Sequence, residues 1–151
     1  METNNSTNIK KYFPIIIGIV IFVLAFFATR HFLSSSAADS ISTEEALINA
    51  ATETNQQCPM MINGETKLDN VMSLPNNTFQ HSYTLVNVSL IEVSDSLESM
   101  KETLKSVLIT DLKNNPDLNV FKENKTTMVY YYSDRDGNSI LEITITPDLY
   151  Q

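Results

Sequence analysis

Few side chains in this sequence have the chemistry of a catalytic centre, and the chain holds one cysteine and two histidines in all. Cys58 is a candidate nucleophile, but a thiol nucleophile needs a base within hydrogen-bond reach. His81 is the only histidine after residue 31 that can serve as that base. The two residues fall in different predicted elements, Cys58 beside Pro59 at a helix end and His81 in a strand. We therefore predict no catalytic residues, with a small hydrolase or thiol-dependent enzyme using Cys58 as the alternative.

Asp134, Asp136 and Asn138 alternate in the way that calcium ligands do. A calcium loop of the EF type places its glycine at the sixth position and a glutamate at the twelfth, whereas Gly137 comes fourth here. The segment also joins two predicted strands. The pattern therefore predicts a turn, with no metal site and no cofactor.

Three consecutive tyrosines occupy a predicted strand near the end of the chain, at positions 130 to 132. Aromatic residues favour strands, and they also supply large amphipathic surfaces for binding. The sequence leaves both interpretations open, as it does for a buried or a partner-contacting thiol at position 58. The candidate binding surface consists of Tyr130, Tyr132, His81 and Cys58.

An uncharged stretch of 18 residues, 12–29, lies between Lys10-Lys11 and Arg30. Its twelve large apolar residues favour insertion into a bilayer by about 4–7 kcal/mol in total. Phe32 and Leu33 extend the stretch if Arg30 reaches the head groups, so we predict a transmembrane signal-anchor helix over 12–33. The alternative is a signal peptide cleaved near Ala38, which releases a secreted or periplasmic protein.

Two lysines precede this stretch and a single arginine follows it closely, which favours a cytoplasmic N-terminus and an exported C-terminal part. After residue 31 the chain carries seven Lys and Arg against seventeen Asp and Glu. So acidic a domain is not suited to nucleic acid or to anionic lipid head groups. The predicted partners are the lipid bilayer, through 12–33, and an unknown protein or envelope component, with no nucleic acid.

The chain divides into a cytoplasmic tail (1–11), the signal-anchor helix (12–33), a Ser/Ala-rich linker (34–42) and an exported domain (43–151). The spacing of apolar residues in this domain predicts helix, strand, strand, helix, strand, strand. The fold class is α+β: an N-terminal transmembrane helix is followed by these six elements, with a four-stranded, mainly antiparallel sheet.

The first predicted helix covers about 43–57, and its small-residue face comprises Leu47, Ala50, Ala51, Thr54 and Cys58. Strands follow over 65–74, with Leu68, Met72 and Leu74 on one face, and over 79–91. The second helix begins at a capping pair, Asp95 and Glu98. Its apolar stripe has the clearest helical period, Leu97, Met100, Leu104, Val107, Leu108 and Leu112. Strands over 126–133 and 140–146 close the domain.

Several segments resemble a family of small bacterial exported or membrane-anchored proteins with a Cys-Pro element and a tyrosine-rich final hairpin. The segments are Cys58-Pro59-Met60-Met61-Ile62-Asn63, Thr66-Lys67-Leu68-Asp69-Asn70-Val71, Tyr83-Thr84-Leu85, Asn114-Asn115-Pro116, Val129-Tyr130-Tyr131-Tyr132 and Asp136-Gly137-Asn138. The resemblance covers roughly 45–146. Some relatives carry further cysteines near the end of the second helix or the C-terminus, regions in which this chain has Asn114 and Tyr150, so the resemblance does not extend to a disulfide.

The resemblance implies an uncharacterised family and brings no activity. The predicted function is a membrane-anchored extracytoplasmic domain that binds another protein or an envelope component without catalysis. The two alternatives are the Cys58-dependent enzyme and a cleaved, secreted periplasmic binding protein.

Overall fold

The structure, a computed structural model, describes residues 43–151. The helices are α1 (Thr43–Asn55), α2 (Leu90–Val93), α3 (Leu97–Asn114), α4 (Asn119–Glu123) and α5 (Pro147–Tyr150). The strands are β1 (Met60–Met61), β2 (Thr66–Leu74), β3 (Thr78–Leu85), β4 (Thr127–Ser133) and β5 (Ser139–Ile145). The predicted tail 1–11, signal-anchor helix 12–33 and linker 34–42 lie outside the described residues. Among residues 43–151 no helix is both long enough and apolar enough to span a bilayer.

One sheet holds all five strands in the order β1-β2-β3-β4-β5. The α+β class is confirmed, but the predicted four strands are one too few, because β1 has two residues and is too short to show an alternating pattern. Neighbouring strands are antiparallel except β3 and β4, which run parallel with His81 opposite Tyr130. The two hairpins that the sequence predicts are thus joined side by side through this parallel pair.

Two helices pack on the sheet near its opposite edges, α1 against β2 and α3 against β5. The small apolar face predicted for α1 faces the interior, with Leu47, Ala51 and Thr54 buried. The predicted stripe of α3 is confirmed as well, and its fully buried members are Met100, Leu104, Leu108 and Leu112. Alternate residues of β3 are only partly buried, as expected for a sheet with helices on one face.

The first predicted strand has the right position but the wrong face over part of its length. A bulge between Leu68 and Asn70 inserts an extra residue into β2. Beyond it the alternation shifts by one, so Val71 is fully buried whereas Met72 is 40% exposed. A one-residue shift exchanges the two faces of a strand, and this is why the predicted inward position of Met72 is wrong.

The second predicted strand, 79–91, is too long, because β3 ends at Leu85 and the chain turns into the short helix α2. At the start of α2 the carboxylate of Glu92 accepts a hydrogen bond from the backbone N–H of Ser89. The predicted capping pair of Asp95 and Glu98 is also wrong. Asp95 lies in a 3-10 turn, and the residue before α3 is Ser96, whose side chain makes no capping bond.

The turn between β2 and β3 fixes the start of β4 and so the register of the parallel pair. The side-chain amide of Asn77 donates to the carbonyls of Asn124 and Lys125, and its carbonyl accepts from the Thr126 hydroxyl. The backbone N–H of Thr127 donates to the Asn77 carbonyl at 2.9 Å. Asn77 thus connects the two hairpins at one end of the parallel pair formed by β3 and β4.

Candidate functional site

Three of the four residues predicted as a binding surface, all except Cys58, lie in a row of aromatic rings on the helix-covered face of β3 and β4. The imidazole of His81 stacks on Tyr130, with ring centroids 5.3 Å apart and planes 7° from parallel. The His81 ring is also nearly parallel to that of Tyr83, with centroids 6.0 Å apart, and Tyr83 in turn stacks on Tyr132 at 5.2 Å. His81, Tyr130 and Tyr132 are all at most 5% exposed. The row is therefore interior packing that runs along the central strands.

Burial determines the protonation of this row. Desolvation lowers the pKa of His81 to about 4, so the ring is neutral at physiological pH. Desolvation likewise raises the pKa of Tyr130 and of Tyr132 far above the ordinary value. The Nδ1 atom of His81 and the hydroxyl of Tyr132 are buried, and no described residue forms a hydrogen bond with either of them. A neutral histidine between two protonated phenols has none of the features of an activated general base.

Cys58 is partly buried at the end of the segment that follows α1. Burial raises the pKa of its thiol, and the negative charge of Asp69 raises it further. Reactive cysteines have the opposite environment, in which nearby positive charge stabilises the thiolate. Within residues 43–151 no hydrogen bond joins Cys58 to His81, so the thiol and the imidazole do not form a hydrogen-bonded nucleophile–base pair there.

The predicted turn at 134–138 is organised around the Asp134 carboxylate. One oxygen accepts from the backbone N–H groups of Asp136 and Asn138, at 2.9 and 2.8 Å. The other accepts from the Asn138 side-chain amide and from the backbone N–H of Leu90, at 3.0 and 2.9 Å. Burial opposes ionisation, but these donors outweigh it and lower the pKa of Asp134 to about 2. Both oxygens are thus engaged with N–H donors, and in the described chain no set of three or more His, Cys, Asp or Glu could hold a metal ion.

A shallow groove of about 290 Å³ lies between α1 and β2, and we call it the edge groove. Two of its apolar side chains are exposed, Ile48 by 48% and Met72 by 40%. At its end the side-chain amide of Asn55 makes two hydrogen bonds to the backbone of Val71, of 2.8 and 2.9 Å. The residues that line the groove are Ile48, Ala51, Thr52, Asn55, Val71, Met72, Ser73 and Leu74.

Sequence reasoning missed the edge groove, although one signal was present. Ile48 is a large apolar residue beside the small-residue face of α1, where a solvated helix normally has a polar side chain. The contribution of Met72 to the groove could not be predicted from residue type, because the bulge in β2 determines on which face of the strand Met72 lies.

Solved structures with a similar fold include three bacterial proteins of low sequence identity. A Pseudomonas aeruginosa protein that is described as secreted is 9% identical, has a TM-score of 0.58 and covers 78% of this chain and 100% of its own. EpsS, a pilotin of the Vibrio vulnificus type 2 secretion system, is 13% identical with a TM-score of 0.55, covering 72% and 92%. AspS, the type II secretion pilotin of Vibrio cholerae, is 12% identical with a TM-score of 0.51, covering 71% and 91%. At these identities the likeness establishes the fold.

No curated protein matches the sequence. One family profile, that of a domain of unknown function designated DUF8479, matches residues 42–141, which is most of the described domain. The predicted membership of an uncharacterised family is thereby confirmed in its broad form, whereas the Cys-Pro element and the tyrosine-rich hairpin remain predictions as family features. The chain belongs to the DUF8479 family.

Proposed function

We propose that this chain is an exported, non-catalytic binding domain that acts at the bacterial envelope. The observation that carries the proposal is the fold, which is similar to those of two type II secretion pilotins over more than 90% of their lengths. The third similar structure, the Pseudomonas protein described as secreted, agrees with an exported location. The acidic character of the domain is compatible with this location and is unsuited to nucleic acid.

The side chains support binding over catalysis. The thiol of Cys58 has a raised pKa, His81 is enclosed between tyrosine rings, and the Asp134 carboxylate is occupied by backbone and amide donors. Each reactive group thus has a structural environment that disfavours chemistry at neutral pH. A binding role at the envelope needs only a stable domain with a docking surface.

In the finer form of the proposal, residues 12–33 hold the domain at the membrane as a single-pass anchor with the N-terminus in the cytoplasm. The uncharged stretch and the lysines before it support this topology. Cleavage near Ala38 is the second form, in which the same domain works in the periplasm or outside the cell.

The test is fractionation of a bacterial host that expresses the full chain, combined with intact mass measurement. A mass near 17.0 kDa in the detergent-extracted membrane, with the domain open to protease added to spheroplasts, supports the anchored form. A shortened mass in the soluble periplasm supports the cleaved form. A protease-protected, full-length protein in the cytoplasm contradicts the proposal.

A second experiment separates binding from the thiol-enzyme alternative. In a deletion strain of the natural host, Cys58→Ser should restore the phenotype as fully as the wild-type chain does. Loss of complementation by a Cys58→Ser variant that still folds and reaches its normal location would favour the enzyme.

A further inference from the structure

The sheet has an incompletely covered edge at β2. Its outer neighbour β1 pairs only with Leu68 and Lys67, through Met60 and Met61. Because β1 is antiparallel to β2 and begins only at Met60, the chain that arrives from α1 forms no strand beside the second half of β2 in the described residues. A strand edge without a neighbour presents N–H and C=O groups that another chain can use.

Asn55 occupies one position along this edge. Its amide nitrogen donates to the Val71 carbonyl and its oxygen accepts from the Val71 N–H, which are the two bonds that a neighbouring strand residue would make. The backbone groups of Val71 therefore point away from β3. Because backbone groups alternate in an antiparallel strand, those of Ser73 point toward the same edge, and no described residue bonds to them.

The edge groove runs beside these backbone groups and has apolar walls. Exposed Ile48 on α1 and exposed Met72 on β2 are two of the four large hydrophobic side chains that the described domain leaves open to solvent. A strand added at this edge would place alternate side chains against these walls. The groove thus combines the backbone and side-chain features used by proteins that bind extended peptides.

The charge of the groove favours a basic partner. The helix α1 contains no lysine or arginine, and Glu44 lies about one helical turn before Ile48 on the same face. Positive side chains that flank a bound strand would lie near this helix, whereas negative ones would be repelled by it.

We propose that an extended, basic segment of a partner protein adds as a strand to the β2 edge at Val71 and Ser73. Its backbone replaces the Asn55 side chain as the hydrogen-bond partner of the Val71 backbone. The proposal rests on the proposed binding function and names its docking surface. Apolar side chains of the segment contact Ile48 and Met72, and its lysines or arginines face Glu44 of α1.

The probe for the test is a labelled synthetic peptide of alternating valine and threonine with lysines at both ends. Its binding to the full chain in mild detergent is followed by fluorescence anisotropy. Met72→Ala should weaken binding by roughly fivefold to tenfold, because it removes a groove wall. The matched control Met61→Ala, in which an exposed methionine on β1 outside the groove is shortened in the same way, should leave binding unchanged.

Two further variants test strand addition itself. Ser73→Pro removes an N–H that points to the open edge, so it should fold, as a thermal melt will show, and should abolish binding. Asn55→Ala removes the side-chain amide that occupies the Val71 backbone groups, so it should strengthen binding. The same peptide N-methylated at alternate residues should not bind to the wild-type chain, and this arm does not depend on any protein variant.

Several outcomes overturn the proposal: no anisotropy change at about 1 mM peptide, equal binding of the N-methylated peptide, or equal binding of an analogue with glutamates in place of lysines. None of these results affects the fractionation experiment. An exported domain that does not bind the peptide refutes this docking surface alone, whereas a cytoplasmic location refutes the proposed function.

Discussion

The Asp134 carboxylate accepts a hydrogen bond of 2.9 Å from the backbone N–H of Leu90, a residue 44 positions earlier in the chain. The same carboxylate holds the turn between β4 and β5, so one side chain connects that turn to the first residue of α2. The aspartate therefore has a long-range structural role in addition to its role in the turn.

Asp134→Asn should lower the thermal midpoint by roughly 5 °C or more, because an amide presents N–H groups to donors that now face a carboxylate oxygen. Circular dichroism melts at pH 7 measure this change. Asp136→Asn, two residues away and exposed, is the matched control and should shift the midpoint by less than about 2 °C. Equal shifts for the two variants would refute the long-range role.

The buried histidine predicts a specific loss of stability in mild acid. The pKa of His81 falls from 6.5 in the unfolded chain to about 4 in the folded domain through desolvation. Between these values the unfolded chain binds a proton that the folded domain does not, so stability falls as the pH falls, by about 3 kcal/mol in total. Below about pH 4 this group contributes no further change.

Urea unfolding at several pH values from 7 to 4 tests this expectation. His81→Phe keeps an aromatic ring in the stack and removes the titration, so its stability should vary less with pH over this range. Asp111 does not account for the effect, because burial raises its pKa and gives the opposite sign. Parallel curves for wild type and His81→Phe would contradict the predicted neutral, desolvated histidine.

Tyr150 fixes the last helix through its buried hydroxyl. This group lies 2.6 Å from the Thr126 carbonyl and 3.3 Å from the Phe121 carbonyl, at the junction between α4 and β4. Tyr150→Phe should cost about 1–2 kcal/mol of unfolding free energy in urea titrations, since it leaves buried carbonyls with fewer donors. Tyr131→Phe, whose ring lies on the partly exposed face of the sheet, should change stability by less than about 0.5 kcal/mol.

Cys58 should react slowly with iodoacetamide at pH 7.5, more slowly than a cysteine in an unfolded peptide. Burial and the charge of Asp69 both raise the pKa of the thiol, and the thiolate is the reactive species. Asp69→Asn should increase the rate, whereas Asp95→Asn, a distant exposed aspartate, should not. A wild-type alkylation rate above that of the peptide would support the thiol-enzyme alternative.

Elements that repeat a regular pattern over many residues were predictable from the sequence. The stripe of α3 spans four turns, and its inward face was correctly assigned. The strand β4 alternates without interruption, and both β4 and β5 lie within one residue of the predicted ranges. The turn at 134–138 was predictable too, because Asp, Gly and Asn favour turns for local reasons.

Features that depend on one inserted residue or on distant contacts were not predictable. The bulge in β2 exchanges Val71 and Met72 between faces, and no local signal marks it. The parallel pairing of β3 with β4 depends on how the two hairpins pack side by side. The alternation of apolar and polar residues within each strand does not indicate this arrangement. Of the candidate site, the chemistry of Cys58 and His81 could be weighed from residue types, but the burial of His81 and the groove beside Asn55 required the assembled sheet.

The parallel seam between β3 and β4 has a consequence for how the chain assembles. Each hairpin is local, but the seam that joins them closes a loop formed by residues 86–126, which contains α2, α3 and α4. Closing a flexible loop of this length costs about 3 kcal/mol of chain entropy. The stacked rings of His81 and Tyr130, which lie across the β3–β4 pair, contribute packing that offsets this cost. We therefore expect a fragment that ends before β4 to keep at most the β2–β3 hairpin with the short strand β1, and to lack the parallel pair and β5.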